Sequence, residues 1–219
     1  MSKGKLIVIE SGTDGSGKTT QFDLLYDRLK LEGHKVVKVK FPDYKSNSSA
    51  LVRMYLQGEF GRDPKEINLY AASTFYAVDR FASYQQKWKE LYEEGTIILA
   101  DRYTTSNMIH QASKIDSYKE KKKYLEWLYD LEFNKFELPE PDMVIFLDMP
   151  VEYSLKILEE RGNRDIHELD REYLYSTYKN AVEIAGIYNW IEIKCNEEKE
   201  IKTIDEIHKE IYRKVENLL

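Results

Sequence analysis

Residues 12–19 read Gly-Thr-Asp-Gly-Ser-Gly-Lys-Thr and fit the pattern G-x-x-x-x-G-K-[ST] at every fixed position. An apolar run, Leu6–Ile9, precedes the loop, and a helical pattern, Thr19–Leu31, follows it. A strand must therefore deliver the loop and a helix must leave it. The glycines allow successive backbone N–H groups to turn inward onto phosphate oxygens. The start of the helix adds its positive end to the same place. Lys18 is expected to reach the β- and γ-phosphates of a nucleotide, and the Thr19 hydroxyl to ligate Mg²⁺. A glycine-rich turn with an incidental lysine would not need these flanks. The motif implies binding of a nucleoside triphosphate and leaves the reaction open.

The rest of the chain supplies the scaffold that such a loop requires. Short apolar runs at Leu6–Ile9, Val36–Val39, Ile97–Ala100, Met143–Leu147 and Trp190–Ile193 are rich in Ile and Val and lack clean alternation. That is the pattern of parallel strands covered on both faces. Helical patterns separate them. Thr19–Leu31 sets Phe22, Leu25 and Leu29 on one face, and the further segments are Glu66–Tyr92, Tyr118–Phe133, Val151–Glu160, Arg171–Ala185 and Ile204–Leu218. Glu66–Tyr92 is long enough that a break or bend is expected. Strands alternating with helices predict an α/β fold, a doubly wound five-stranded parallel sheet flanked by helices. Ligands in such folds lie beyond the carboxyl ends of the strands.

At 219 residues the chain suits one domain, residues 1–219, and no repeat or Pro/Gly/Ser-rich linker divides it. With 42% hydrophobic and 33% charged residues it reads as globular. The net charge of −6 gives no general attraction to nucleic acid or anionic lipid, so phosphate chemistry must rest on a local basic site. The single cysteine, Cys195, excludes an internal disulfide and suits a reducing cytosol. The opening MSKGKLIVIESG is too short an apolar run for a signal or a span, so no targeting segment and a cytoplasmic location are expected. The four histidines, His34, His110, His167 and His208, show no metal-ligand spacing.

Other motifs fall at the remaining strand ends. Asp101-Arg102-Tyr103 closes the third run, where a carboxylate can hold Mg²⁺ or its waters and a guanidinium can grip an acceptor phosphate with two parallel bonds. An ordinary Asp–Arg surface pair has the same sequence. Phe41-Pro42-Asp43-Tyr44 closes the second run; Phe41 could line a base pocket and Tyr44 touch a phosphate, although a strand end with a core phenylalanine accounts for it equally simply. Tyr76 and Arg80, four apart on a helix, share a face, so a ring could stack on a base while the arginine bonds its edge. Residues alone favour a helical surface pair there. The run Glu159-Glu160-Arg161-Gly162-Asn163-Arg164-Asp165-Ile166 is polar and glycine-containing, as a lid would be, and also as most solvated charge runs are.

Taken together, GTDGSGKTTQ, FPDY, YAVDR after Thr74-Phe75, DRYTTSNMIHQ and PDMVIFLD occur in one order, and the chain resembles the thymidylate kinase family over nearly its whole length. The resemblance implies transfer of the γ-phosphate of ATP to dTMP, giving dTDP and ADP on the way to dTTP. ATP would lie on Gly12, Thr13, Asp14, Gly15, Ser16, Gly17, Lys18, Thr19 and Thr20, with Cys195 and Asn196 bordering the adenine. Thr19 and Asp101 would hold Mg²⁺ or its waters. Phe41 and Pro42 would line the acceptor pocket, with Tyr44 on the acceptor phosphate. Tyr76 would stack on thymine, Arg80 bond its O4 edge, Ser106, Asn107 and Gln111 face the base, and His110 lie near the sugar. Asp14 would contact the sugar or the Mg²⁺ shell, and Arg102 would hold the acceptor phosphate.

Lys18, Asp14, Asp101, Arg102, Arg161 and Arg164 would form the catalytic set, with a lid at about 160–170 supplying the last two. Some members carry arginine where Gly15 stands, so here the lid must provide that charge. The arginine-lid branch reads arginine just before Ile–Glu; this chain has Asp165 before Ile166-His167 and Arg164 one place earlier. The resemblance also implies a homodimer built from helices. A kinase for dUMP or a deoxynucleoside, with Glu10 as base for a sugar hydroxyl, and a non-catalytic nucleotide switch are the other readings the residues allow.

Overall fold

The computed structural model describes residues 3–61, 67–161, 171–197 and 200–219. Its sheet is built from β1 (Leu6–Ser11), β2 (Val36–Lys40), β3 (Ile97–Asp101), β4 (Met143–Asp148) and β5 (Ile191–Lys194), in the order β2-β3-β1-β4-β5. All neighbours in it run parallel, with Ile9 opposite Asp101 and Val8 opposite Val144. Every residue of β1 is buried because the strand is central and covered on both faces. Its side chains still alternate. Ile7 and Ile9 enter one core with Leu99, Ile145 and Leu147, while Leu6 and Val8 enter the other with Ile98, Ala100 and Val144. Both faces being apolar, the alternation leaves no trace in the hydropathy pattern.

The first core is closed by α1 (Lys18–Leu31), through Phe22, Leu25 and Leu29, and by α9 (Ile204–Glu216), through Ile207, Ile211 and Val215. The amphipathic stripe of α9 starts from a capping box in which Thr203 and Glu206 satisfy each other's backbone N–H groups. The second core is floored by a long helix in pieces. It runs as α3 (Leu69–Ser83), a π-helical turn (Tyr84–Trp88) and α4 (Lys89–Glu93), which is the break expected near this segment. Tyr84, Trp88 and Tyr92 stack edge to face beneath the sheet, with centroids 4.6 and 6.3 Å apart. The start expected at Glu66 lies outside the described residues; Asn68 caps α3 by accepting from the N–H of Tyr70 and Ala71.

The segment expected at Tyr118–Phe133 is α6 (Tyr118–Tyr129) followed by a second π-helical stretch, Asp130–Lys135. Helices α7 (Val151–Arg161) and α8 (Arg171–Ile187) flank the stretch 162–170; Arg164, Asp165, Ile166 and His167, and with them most of the expected lid, lie outside the described residues. Two short helices come in addition to the sequence pattern: α2 (Ala50–Leu56) and α5 (Thr104–His110). Trp190, expected to open the last strand, instead closes α8. Its N–H bonds Ala185 O after Asn189 takes a left-handed turn at φ 51°, and β5 begins one residue later. No helix among the described residues is long and apolar enough to cross a membrane.

Candidate active site

The phosphate loop sits where β1 hands over to α1. Gly15 and Gly17 adopt φ 78° and 76°, a backbone that side chains resist and that curls the loop's amides inward. The first turn of α1 holds no acidic residue of its own, so the helix start favours an anion there. Gly12 packs against α8: a Cβ there would lie 3.2 Å from Ala181 Cβ and from Tyr178. Thr13 Oγ1 and Ser154 Oγ share a hydrogen bond of 2.7 Å, which fixes the loop to α7.

Lys18, only 8% exposed, donates to Asp101 Oδ1 at the end of β3. Lys40 Nζ lies 3.1 Å from the other oxygen of that carboxylate. Burial would raise the Asp101 pKa, but the two ammonium groups outweigh it and hold the carboxyl below its ordinary value. Burial and the repulsion of Arg102 depress Lys18, against the pull of Asp101. The loop lysine is thus held by the carboxylate expected to serve the metal, within a cluster of charges that a bound triphosphate would rearrange.

Arg102 follows directly, in the left-handed region at φ 69°. A non-glycine residue there costs on the order of 1 kcal/mol and persists where surrounding bonds dictate it. The bonds are present. Arg102 Nη2 donates to Asp14 Oδ1 at 2.7 Å, and Nη1 donates to His110 Nε2 at 2.9 Å. With Nε2 accepting, the imidazole proton sits on Nδ1, which faces Tyr173 Oη at 3.4 Å.

These residues border a cavity of about 300 Å³. All of the sequence-derived acceptor residues line it: Asp14, Phe41, Pro42, Tyr44, Tyr76, Arg80, Arg102, Ser106, Asn107, His110 and Gln111. The strand ends and α3 that carry FPDY, DRY and YAVDR therefore converge on one space, as the ordered motifs imply. Its lining combines the guanidinium of Arg102, beside the phosphate loop, with the amides of Asn107 and Gln111 and the rings of Phe41, Tyr44, Tyr55 and Tyr76. Gln111 Oε1 is buried without a hydrogen-bond partner, an acceptor left for a ligand to satisfy. Tyr76 packs edge-on against Tyr55, ring centroids 6.3 Å apart, and burial raises its phenol pKa so that it stays neutral.

Two expected contacts take a different form. Arg80 does not reach into the cavity as a free cation; it is 1% exposed and paired with Glu132 through Nε at 2.7 Å and through Nη2. Ser106 Oγ donates to Glu10 Oε1 at 2.6 Å, so it meets the cavity wall while bonded behind it. Cys195 is a core residue. Its side chain is fully buried, burial pushes its thiol up to about 12, and its N–H and C=O are taken by Asp148 and Lys202. Asn196, half-buried, is the member of that pair nearer solvent. Thr19 and Thr20 are exposed on α1. Arg161 ends α7, and Arg164 lies outside the described residues.

The cavity also recruits Tyr55 and Leu56 from α2, Lys114, and Tyr173, Leu174 and Thr177 from α8. Their sequence neighbourhoods carry no motif. Lys114 Nζ donates to Tyr55 Oη at 3.0 Å, a pairing across 59 residues that local spacing cannot reveal.

A family model described as thymidylate kinase matches residues 9–211. The probable thymidylate kinase of Thermococcus onnurineus is 32% identical over 97% of this chain and 98% of its own length. The thymidylate kinase of Prochlorococcus marinus is 28% identical over 98% and 99%. The solved structure of thymidylate kinase from Candida albicans, reported to show the origin of broad substrate specificity, superposes with a TM-score of 0.70 at 25% identity, over 99% of this chain and 93% of that one. Motif order, the shared cavity and these matches agree: the chain belongs to the thymidylate kinase family.

Proposed function

We propose that this protein transfers the γ-phosphate of ATP to dTMP, giving dTDP and ADP, in one catalytic domain spanning residues 1–219. One observation carries the reading. A single cavity is lined by Asp14 of the phosphate loop, the guanidinium of Arg102 and the amides of Asn107 and Gln111. A mononucleotide carries the counterparts of both, an anion and a hydrogen-bonding ring.

The acceptor phosphate is already anionic at neutral pH, its second pKa being about 6. Transfer then needs alignment and charge stabilisation more than a general base. In this mechanism Arg102 seats the acceptor phosphate beside the loop and offsets its repulsion by the triphosphate. The amides of 12–17 and the start of α1 cradle the β- and γ-phosphates. Lys18 leaves Asp101 for the triphosphate, while Lys40 remains to neutralise the carboxylate. Arg161 and Arg164 are assigned to the transferring phosphoryl group.

Mg²⁺ suits the donors at hand. Thr19 and Asp101 offer oxygen ligands, and no cluster of three or more His, Cys, Asp or Glu side chains able to cage a metal exists among the described residues. A cation that keeps waters and shares its shell with phosphates fits that sparse set. When bound it would neutralise charge on the β- and γ-oxygens.

The rival readings draw less support. Glu10, the candidate base of a nucleoside kinase, is fully buried, is not among the residues lining the cavity, and accepts from Thr105 and Ser106. A nucleotide switch has no use for an acceptor cavity. A cytoplasmic location and a homodimer complete the proposal; Val78 and Phe81 on α3 are exposed apolar side chains that a second copy could cover. The test is ADP release with ATP and Mg²⁺ in the presence of dTMP, dUMP or thymidine. Turnover greatest with dTMP supports the reading; turnover with thymidine alone, or ATP hydrolysis without transfer, overturns it.

A further inference from the structure

Glu132 belongs to no motif, yet it is a fully buried acid whose carboxylate accepts three hydrogen bonds. It is 0% exposed and accepts from Arg80 Nε at 2.7 Å, from Arg80 Nη2, and from Thr104 Oγ1 at 2.6 Å. It does not line the acceptor cavity, whereas Arg80 does. The wide turn Asp130–Lys135 carries it, and the backbone closes around it, with Leu138 N donating to Glu132 O at 3.0 Å. Turns of this kind recur at functional sites because they re-aim one side chain out of helical register.

The geometry decides what Arg80 can offer. A guanidinium is a flat fork with five N–H bonds. Glu132 takes the Nε–Nη2 edge, and Tyr103 O lies 3.4 Å from Nη1. What remains is the outer edge of the fork, held in one plane. Burial disfavours the Arg80 charge, but the Glu132 carboxylate more than compensates, so the guanidinium stays ionised and the pair as a whole is neutral. Such a pair adds little to stability by itself, because desolvating two charges costs about what their attraction returns. Its position at the cavity wall calls for another account. Thr104 opens α5, whose Ser106, Asn107 and His110, with Gln111 just past its end, also line the cavity, so Glu132 ties the arginine to the rest of that wall.

We propose that Glu132 is a positioning residue for base choice: it fixes Arg80 so that only the outer edge of the guanidinium can read the acceptor's ring, and it cancels the arginine's charge so that the acceptor phosphate is drawn to Arg102. This rests on the proposed function, in which Arg80 faces the thymine O4. Deoxycytidylate is the natural probe, since it carries an amino donor at C4 where thymidylate carries an acceptor.

Four proteins decide the matter: the parent, Glu132→Asp, Arg80→Met and the double variant Arg80→Met with Glu132→Met, each assayed with dTMP and with dCMP. Glu132→Asp keeps the charge and retracts the carboxylate by one methylene. It is expected to raise the KM for dTMP about tenfold, hold kcat within about twofold, and narrow the dTMP-over-dCMP preference about tenfold, the range of one misplaced hydrogen bond to a charged group. If Glu132 acts through Arg80, the double variant has the same preference as Arg80→Met alone. A Glu132→Asp enzyme with parental KM and preference overturns the inference. Should that variant fail to fold, the double variant decides: a preference lower than that of Arg80→Met overturns it, and an equal one supports it. If Arg80→Met leaves the preference intact, the base-reading role of Arg80 fails, and with it the inference, while transfer to dTMP still stands.

Discussion

Arg102 Nη2 donates to Asp14 Oδ1 across 2.7 Å, joining the end of β3 to the phosphate loop, two elements 88 residues apart in the chain. The bond holds the acceptor-side guanidinium against the donor-side loop. It also explains why Arg102 tolerates φ 69°. Arg102→Ala is expected to lower kcat/KM for dTMP about 10- to 100-fold, the cost of one charge-assisted bond to a phosphate. The acceptor titration should carry most of the change, and an unaltered KM for dTMP would contradict the assignment.

The same pair has a pH signature. The Arg102 guanidinium holds the Asp14 carboxyl below its ordinary value of 3.8. A depressed carboxyl contributes stability that is complete above its unfolded pKa and is lost as pH falls through the folded one. The contribution should therefore disappear only below about pH 3.8. In Arg102→Ala the Asp14 titration should move up towards the ordinary value, followed by carboxyl carbon shifts in NMR. A midpoint that stays put would mean that another group lowers it.

Lys18→Ala removes the ammonium expected to follow charge onto the transferring group. The loss should exceed about 3 kcal/mol, more than a hundredfold in kcat, because the interaction is strongest in the transition state. Asp101 would keep Lys40 as a neighbour, so the fold should survive. Near-normal turnover would remove Lys18 from the mechanism.

The sheet is legible because the inner strands are compact blocks of β-branched and aliphatic residues, while the edge strands β2 and β5 keep Val or Ile at alternate positions between charged ones, and all five runs fall on strands. The motifs named the acceptor wall for a similar reason: strand ends in a doubly wound sheet converge on one edge. Side chains joined by tertiary contacts stayed hidden. Helix α2 is seven residues long, fewer than two turns and too short for its periodicity to stand out, so Tyr55 and Leu56 carry no signal. Tyr173 and Glu132 act through partners 63 and 52 residues away. Cys195 was placed by its strand-end position, but the chain turns its thiol into the core.

Removing divalent metal should abolish transfer, because Lys18 alone cannot offset the charge of a triphosphate, and Thr19 and Asp101 supply ligands for a cation rather than positive charge. Excess EDTA is expected to bring turnover to background and added Mg²⁺ or Mn²⁺ to restore it, both being hard cations that favour oxygen ligands. Folding, followed by circular dichroism, should not change, since no metal cage is present among the described residues. Transfer persisting in EDTA would exclude the metal.

Tyr173→Phe tests how the wall of the cavity is held from α8. Arg102 donates to His110 Nε2, which leaves the ring's proton on Nδ1, 3.4 Å from Tyr173 Oη. Deleting the hydroxyl removes an oxygen that helps keep this tautomer. The imidazole would then be freer to turn or to change tautomer, and Arg102 would lose part of its orientation. A neutral hydrogen bond of this kind contributes about 0.5–1.5 kcal/mol, so the KM for dTMP should rise about two- to tenfold. The KM for ATP should hold, because Tyr173 lines the acceptor cavity and is no part of the phosphate loop. A rise in both constants would point instead to a shift of α8 against Gly12, where the helix and the loop already touch.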